Sequence, residues 1–125
     1  MKKKAIAVAP SEWVIMEELW QAPQTLMELV RTLSASEGWA KSTITTMIRR
    51  LEEKGLIRYE TDGRTKTFYP AVAREDVVAK ETESLLRRAY NGSIGLMVSA
   101  MAQRNELSQE DIDELYEILK QNEGK

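Results

Sequence analysis

Histidine and cysteine are both absent from this 125-residue chain. Their absence excludes thiolate nucleophiles, disulfides, Cys/His zinc sites and a Ser-His-Asp triad. It also removes the side chain that most often acts as general acid or base near neutral pH. Long apolar runs are missing too, and none approaches the ~20 residues that a membrane span needs. Lys2, Lys3 and Lys4 precede only a few apolar residues before Pro10, so no secretory signal peptide is expected. These absences predict a cytoplasmic protein that is not an enzyme, needs no cofactor and does not insert into membranes. Proline is scarce, but 30% of residues are charged and 42% are hydrophobic. That balance is not the composition of a disordered chain. The length suits one domain, or one domain plus a docking element.

The formal charge of −2 is small only as a sum. Between Lys41 and Lys66 seven basic residues stand against four acidic ones, a net of +3. From Glu106 to Lys125 seven acids stand against two lysines, a net of −5. Such asymmetry points to one part that faces a polyanion and another that does not.

Ser11 reads as the cap of a first helix, with Glu12 in its first turn and Trp13, Met16, Leu19 and Trp20 at helical spacing. The three tryptophans, Trp39 included, are expected in the core. Pro23 separates that helix from a second. Thr25 and Glu28 have the spacing of a capping box, and Leu26, Leu29, Val30 and Leu33 follow on one stripe. Ser34 to Gly38 reads as a polar connector. A third helix is expected from Lys41 to Lys54, with Ile44, Met47, Ile48 and Leu51 inward and Gly55 as its stop. Its other face carries Ser42, Thr45, Thr46, Arg49 and Arg50, with Thr43 alongside. Two β-prone segments then flank Asp62-Gly63, a strong hairpin signal. Arg64 and Lys66 lie just past its tip. Further helices are expected over 74–90, after Ser93 and after Ser108.

Three helices and a hairpin in this order make a winged helix-turn-helix. The expected fold is mainly α with a small β-hairpin. A winged-helix domain over 1–71 is followed by a helical dimerisation region over 72–125. A B-DNA major groove admits one helix, short Ser and Thr side chains allow close approach, and arginines reach phosphates or guanine edges. Ser42, Thr43, Thr45, Thr46, Arg49 and Arg50 are therefore candidate contacts to a double-stranded DNA operator. Arg64 and Lys66 are candidate wing contacts. The C-terminal half carries Leu85, Leu86, Tyr90, Ile94, Met97, Val98, Met101, Ile112, Leu115 and Leu119, more apolar positions than an extended set of helices can hide. A homodimer that interleaves them would also present two reading heads to a palindrome. A winged-helix protein-interaction module without DNA binding is the alternative. Glu110, Asp111, Asp113 and Glu114 read as helix-start acids and a solvated face rather than a carboxylate active site.

Several segments carry a family resemblance. They are Ser11-Glu12-Trp13 with Leu19-Trp20, Trp39 with Thr43-Ile44-Thr45-Thr46-Met47-Ile48, Arg50-Leu51, Lys54-Gly55, Tyr69-Pro70, Tyr90-Asn91-Gly92-Ser93 and Leu107-Ser108. In these the chain resembles the penicillinase repressor family, of the BlaI and MecI type and related to the CopY copper repressors. The resemblance implies a homodimeric winged-helix repressor of palindromic operators. It marks Thr43, Thr46 and Arg50 as the leading contacts, with Ser42, Thr45 and Arg49 flanking. It also implies relief by proteolysis after a membrane sensor protease detects a β-lactam. The family's Asn-Phe cleavage bond is replaced here by Ala100-Met101, its frequent Ser by Ala40, and a basic residue by Thr45. The Cys-rich tail of the copper branch is absent, which excludes a thiolate copper sensor.

Overall fold

A computed structural model describes residues 7–123; Lys2, Lys3 and Lys4 lie outside the described residues. The elements run α1 (Pro10–Gln21), β1 (Gln24–Thr25), α2 (Leu26–Glu37), α3 (Lys41–Glu53), β2 (Ile57–Asp62), β3 (Thr65–Pro70), α4 (Arg74–Tyr90), α5 (Ile94–Gln103) and α6 (Gln109–Gln121). The chain divides into two compact units, Met1–Glu81 and Thr82–Lys125. The division falls inside α4 rather than at its start.

Caps set most helix ends, but not where the sequence pattern suggested for α1. Its cap is Ala9, Pro10 holds the first helical position, and Ser11 lies inside the helix. Alanine has no side-chain acceptor, so half of the capping exchange remains: the Ala9 N–H donates to Glu12 Oε1 at 2.9 Å. Proline at the first position supplies a pre-set φ and needs no partner for a missing N–H. Thr25 and Glu28 form the full reciprocal box at the start of α2. That helix also runs further than expected. Ser34 to Glu37 stay helical, and Gly38 ends the helix at φ 73°. At the end of α3 the Leu56 N–H bonds Leu51 C=O and the Gly55 N–H bonds Glu52 C=O. This is the Schellman pair, with Gly55 at φ 79° as the left-handed residue.

The sheet has three strands, in the order β1-β3-β2, all antiparallel. The expected hairpin forms, but Asp62 pairs with Thr65, so its two-residue loop is Gly63-Arg64 rather than Asp62-Gly63 and Arg64 lies in the tip itself. The short strand β1, which pairs Gln24 with Phe68, was not foreseen. Two residues before a helix cap are too few to show strand periodicity.

The core of the first unit gathers Ile15, Met16 and Leu19 of α1, Leu29 and Leu33 of α2, and Ile44, Met47, Ile48 and Leu51 of α3. Leu56, Ile57 and Phe68 close it from the hairpin side, with Val8 and Val77 at its edges. Each such side chain contributes about 1.5–3 kcal/mol when fully removed from water. Trp13, Trp20 and Trp39 pack against this core but are only partly buried. Trp20 donates its indole N–H to Val72 C=O at 3.0 Å. Arg74 makes a two-pronged bond to Glu17, Nε to Oε1 at 3.0 Å and Nη2 to Oε2 at 2.8 Å. Val72, Arg74 and Val77 thus hold the start of α4 to the winged-helix core.

One buried charge stands in this core. Glu12 is 2% exposed. Its Oε1 accepts from Lys54 Nζ at 2.6 Å, and Lys54 also donates to Ala7 C=O at 3.0 Å. Removing one member of a buried pair strands the other charge and costs about 3–5 kcal/mol, whereas replacing both by apolar groups is often neutral. Lys54 is partly exposed, so the lower end applies. Lys54→Met should therefore destabilise the first unit by about 3 kcal/mol, and Glu12→Met/Lys54→Met should recover most of the loss. Urea unfolding followed by tryptophan fluorescence reads this unit alone, because all three tryptophans lie in it.

The Arg74 guanidinium holds the Glu17 carboxyl below its ordinary value of 4.5, chiefly through their hydrogen bond. A carboxylate with a lowered folded value stabilises the fold above the unfolded value, and that contribution is lost as pH falls through the folded value. The urea midpoint of the wild type should accordingly drop more steeply below pH 4.5 than that of Arg74→Gln. Parallel acid limbs would show the pair to be unlinked to stability.

Candidate nucleic-acid interface

Helix α3 buries Ile44, Met47, Ile48 and Leu51 and turns its remaining faces outward. At about 100° per residue, Ser42, Thr46 and Arg49 form an outer ridge, with the exposed Glu53 at its C-terminal end. Thr43 and Arg50 fall to one side of that ridge and Thr45 and Glu52 to the other. An open groove runs along each side. The wing-side groove, about 640 Å³, is lined by Thr45, Arg49 and Glu52 of α3 and Arg64, Thr65 and Lys66 of the hairpin, with Leu26, Met27, Ile48 and Phe68 beneath. The second groove, about 370 Å³, is lined by Ser42, Thr43, Thr46 and Arg50 together with Ser11 and Trp39, and Met47 forms part of its floor. All eight candidate DNA-contact residues therefore line one groove or the other.

Sequence reasoning did not propose several lining residues, among them Glu52 and Thr65 on the wing side and Ser11 and Trp39 on the other. Ser11 read as a cap and Trp39 as core, and neither assignment gives a reason to look for the residue beside α3. Glu12 was read as a helix-start acid, and its pairing with Lys54 crosses most of the winged helix, beyond any local pattern.

The cations between Lys41 and Lys66 fall into two groups. Lys54 is neutralised by Glu12, and Arg58 by Glu60 at 2.9 Å. Lys41, Arg49, Arg50, Arg64 and Lys66 have no ion-pair partner among the described residues. These unpaired charges all sit on α3 or the wing. Lys66 Nζ lies 4.1 Å from the centre of the Tyr59 ring, and Arg58 lies 4.4 Å from that of Tyr69. Cation–π contacts of this kind position a charge without cancelling it. Thr45 is a special case on α3. Its hydroxyl donates to Lys41 C=O at 2.9 Å, so it offers the wing-side groove an acceptor only.

The second unit places the candidate dimerisation residues on the later part of α4, on α5 and on α6. Among its described residues no side chain is buried. Ile94 is 63% exposed and Leu119 62%. Leu96, Tyr116 and Ile118, outside the predicted set, are exposed as well. The Ala100-Met101 bond lies inside α5. Among the described residues no helix is long and apolar enough to cross a membrane, and no cluster of carboxylates could hold a metal ion.

The sequence profile of the penicillinase repressor family matches residues 8–121. The chain belongs to the penicillinase repressor family. It is 31% identical to the penicillinase repressor of Bacillus licheniformis over 124 residues, which covers 98% of this chain and 97% of that one. It is 27% identical over 120 residues to the methicillin resistance regulatory protein MecI of Staphylococcus aureus (strain N315), covering 95% and 98%. The solution structure of the DNA-binding domain of the repressor BlaI is similar at 28% identity and a TM-score of 0.54. It covers 61% of this chain and 93% of that domain. As a family member the chain is a transcriptional repressor with a winged helix-turn-helix.

Proposed function

We propose that this repressor binds a palindromic DNA operator as a homodimer and blocks transcription sterically. The observation that carries the reading is that Arg49, Arg50, Arg64 and Lys66, none with an ion-pair partner among the described residues, line the two grooves beside α3 in a chain whose overall charge is −2. Thr43, Thr46 and Arg50 read base edges, with Ser42, Thr45 and Arg49 flanking. Arg64 and Lys66 neutralise backbone phosphates. Thr45, as an acceptor, suits an amino group on a base edge better than a phosphate.

The dimer reading is supported by the second unit. Helices as short as α5 and α6 are marginal alone and gain stability by packing an apolar face. No side chain is buried among the described residues of that unit, yet exposed Ile, Leu and Tyr run along both helices. A second copy covers these faces and sets two recognition helices at half-site spacing. Relief of repression follows cleavage at Ala100-Met101, with a membrane sensor protease as partner. A protease binds its substrate extended, so α5 must unwind at that bond before it is cut.

Arg50→Ala should weaken binding to a duplex selected from a random pool by roughly 10- to 100-fold and relax its sequence preference, with the fold unchanged by circular dichroism. Arg64→Ala and Lys66→Ala should each weaken binding evenly across sequences and lower the slope of log affinity against log salt by about 1. A wild type that is not retained on random duplex or heparin even at low salt would point to a protein-interaction module instead.

Ile94→Glu and Leu119→Glu should each yield monomers in sedimentation velocity and lose helical content. Selected-duplex affinity should fall with them. A wild type that sediments as a monomer at micromolar concentration would sink the dimer reading.

A further inference from the structure

The groove on the side of α3 away from the wing has no assigned ligand. It mixes residues of three segments that share no local motif: Ser11 from the first turn of α1, Trp39 from the loop before α3, and Arg50 with its hydroxyl neighbours on α3 itself. None of its lining residues is acidic, and its one full charge is the unpaired guanidinium of Arg50. The wing-side groove, by contrast, includes Glu52. Neither the Ser11 hydroxyl nor the Trp39 indole N–H has a hydrogen-bond partner among the described residues, whereas Trp20 gives its N–H to Val72. Ser11 is free of a capping role because the cap is Ala9. Two free donors in a groove without an acidic lining residue complement a group that only accepts hydrogen bonds and carries negative charge. A phosphodiester has those properties.

Geometry selects the source of that phosphate. A helix lying in the major groove has a phosphate strand on each side. The wing serves one side, and the Ser11–Trp39 groove opens on the other flank of the same ridge. We infer that Ser11 and Trp39 donate hydrogen bonds to a backbone phosphate of DNA on the side of α3 away from the wing. The two residues thereby fix how deeply and at what angle α3 enters the groove. Such contacts carry no sequence information of their own and set the register in which Thr43, Thr46 and Arg50 read bases.

The inference rests on α3 being the recognition helix, and the experiment separates the two. The full-length protein and its Ser11→Ala, Trp39→Phe and Arg50→Ala variants are titrated across a salt series. The probes are a duplex selected from a random pool and a mixed-sequence duplex. Trp39→Phe keeps an aromatic ring against the core and removes only the donor. Ser11→Ala and Trp39→Phe should each weaken binding to both duplexes by roughly three- to tenfold. Their salt slopes should match the wild type, because no charge is lost. The selected duplex is then rebuilt with one uncharged methylphosphonate at each backbone position in turn. At one position per half-site the affinity should become insensitive to Trp39→Phe. This non-additivity reads the pair directly, and a general loss of folding would not produce it. Arg50→Ala weakening binding while Ser11→Ala and Trp39→Phe bind as the wild type overturns the inference and leaves the helix reading intact. An equal effect of Trp39→Phe at every scanned phosphate overturns it too, because the tryptophan is then structural. Unchanged binding by Arg50→Ala overturns the helix reading and the inference together.

Discussion

The ion pair between Glu12 and Lys54 links the ends of the winged helix's first and third helices at a buried site. It joins the first turn of α1 to the residue that caps the end of α3. Glu12 also accepts from the Ala9 N–H, and Lys54 also donates to the Ala7 carbonyl. One contact therefore caps α1, closes α3 and ties down the chain that enters the fold. Apolar side chains could fill the same volume at equal or lower free energy, but they would leave the Ala9 N–H and the Ala7 carbonyl without these partners. The pair's consequence reaches the outer surface, where Ser11, next to Glu12, and Arg50, one turn before Lys54, line the same groove.

Much of the winged helix is legible from local chemistry. The Thr25–Glu28 box, the α3 stripe, the Gly55 stop and the Asp62-Gly63 signal are each complete within a few residues, and each marks an element that is present. Misreadings occur where an interaction spans distance or where one signal competes with another. Ser11 resembles a cap, but Pro10 and the reach of Glu12 move the helix start forward. Ser34 to Glu37 look like a linker by composition, yet Gly38 is the residue that ends α2. Strand β1 forms because β3 has a free edge beside Gln24 and Thr25, and the two residues themselves carry no strand signal.

The candidate interface was legible in its residue types but not in its shape. Periodicity places Ser42, Thr43, Thr46 and Arg50 on the outside of α3. It cannot show that α1 and the Trp39 loop build up one side of the helix while the hairpin builds up the other. Nor does composition reveal that Lys54 and Arg58 are already paired. Within the window from Lys41 to Lys66, subtracting these two leaves Lys41, Arg49, Arg50, Arg64 and Lys66 without an ion-pair partner, all on α3 or the hairpin.

The two units differ in what holds them, and that difference bears on regulation. The first owns a closed apolar core from Val8 to Val77. The second has well-formed caps at Ser93 and Ser108, and Asn105 at φ 60° ends α5, but no buried side chain among its described residues. Caps contribute about 1 kcal/mol each and cannot stabilise helices of this length in water. In the proposed dimer, the free energy that keeps α5 helical is then largely the free energy of association. On that reading the Ala100-Met101 bond, which lies inside α5, would be held helical by the association of two copies and would become available when they part. DNA that binds the dimer more tightly than the monomer must, by linkage, stabilise the dimer in turn. In the proposed dimer, operator binding and resistance to cleavage are therefore linked through one association equilibrium.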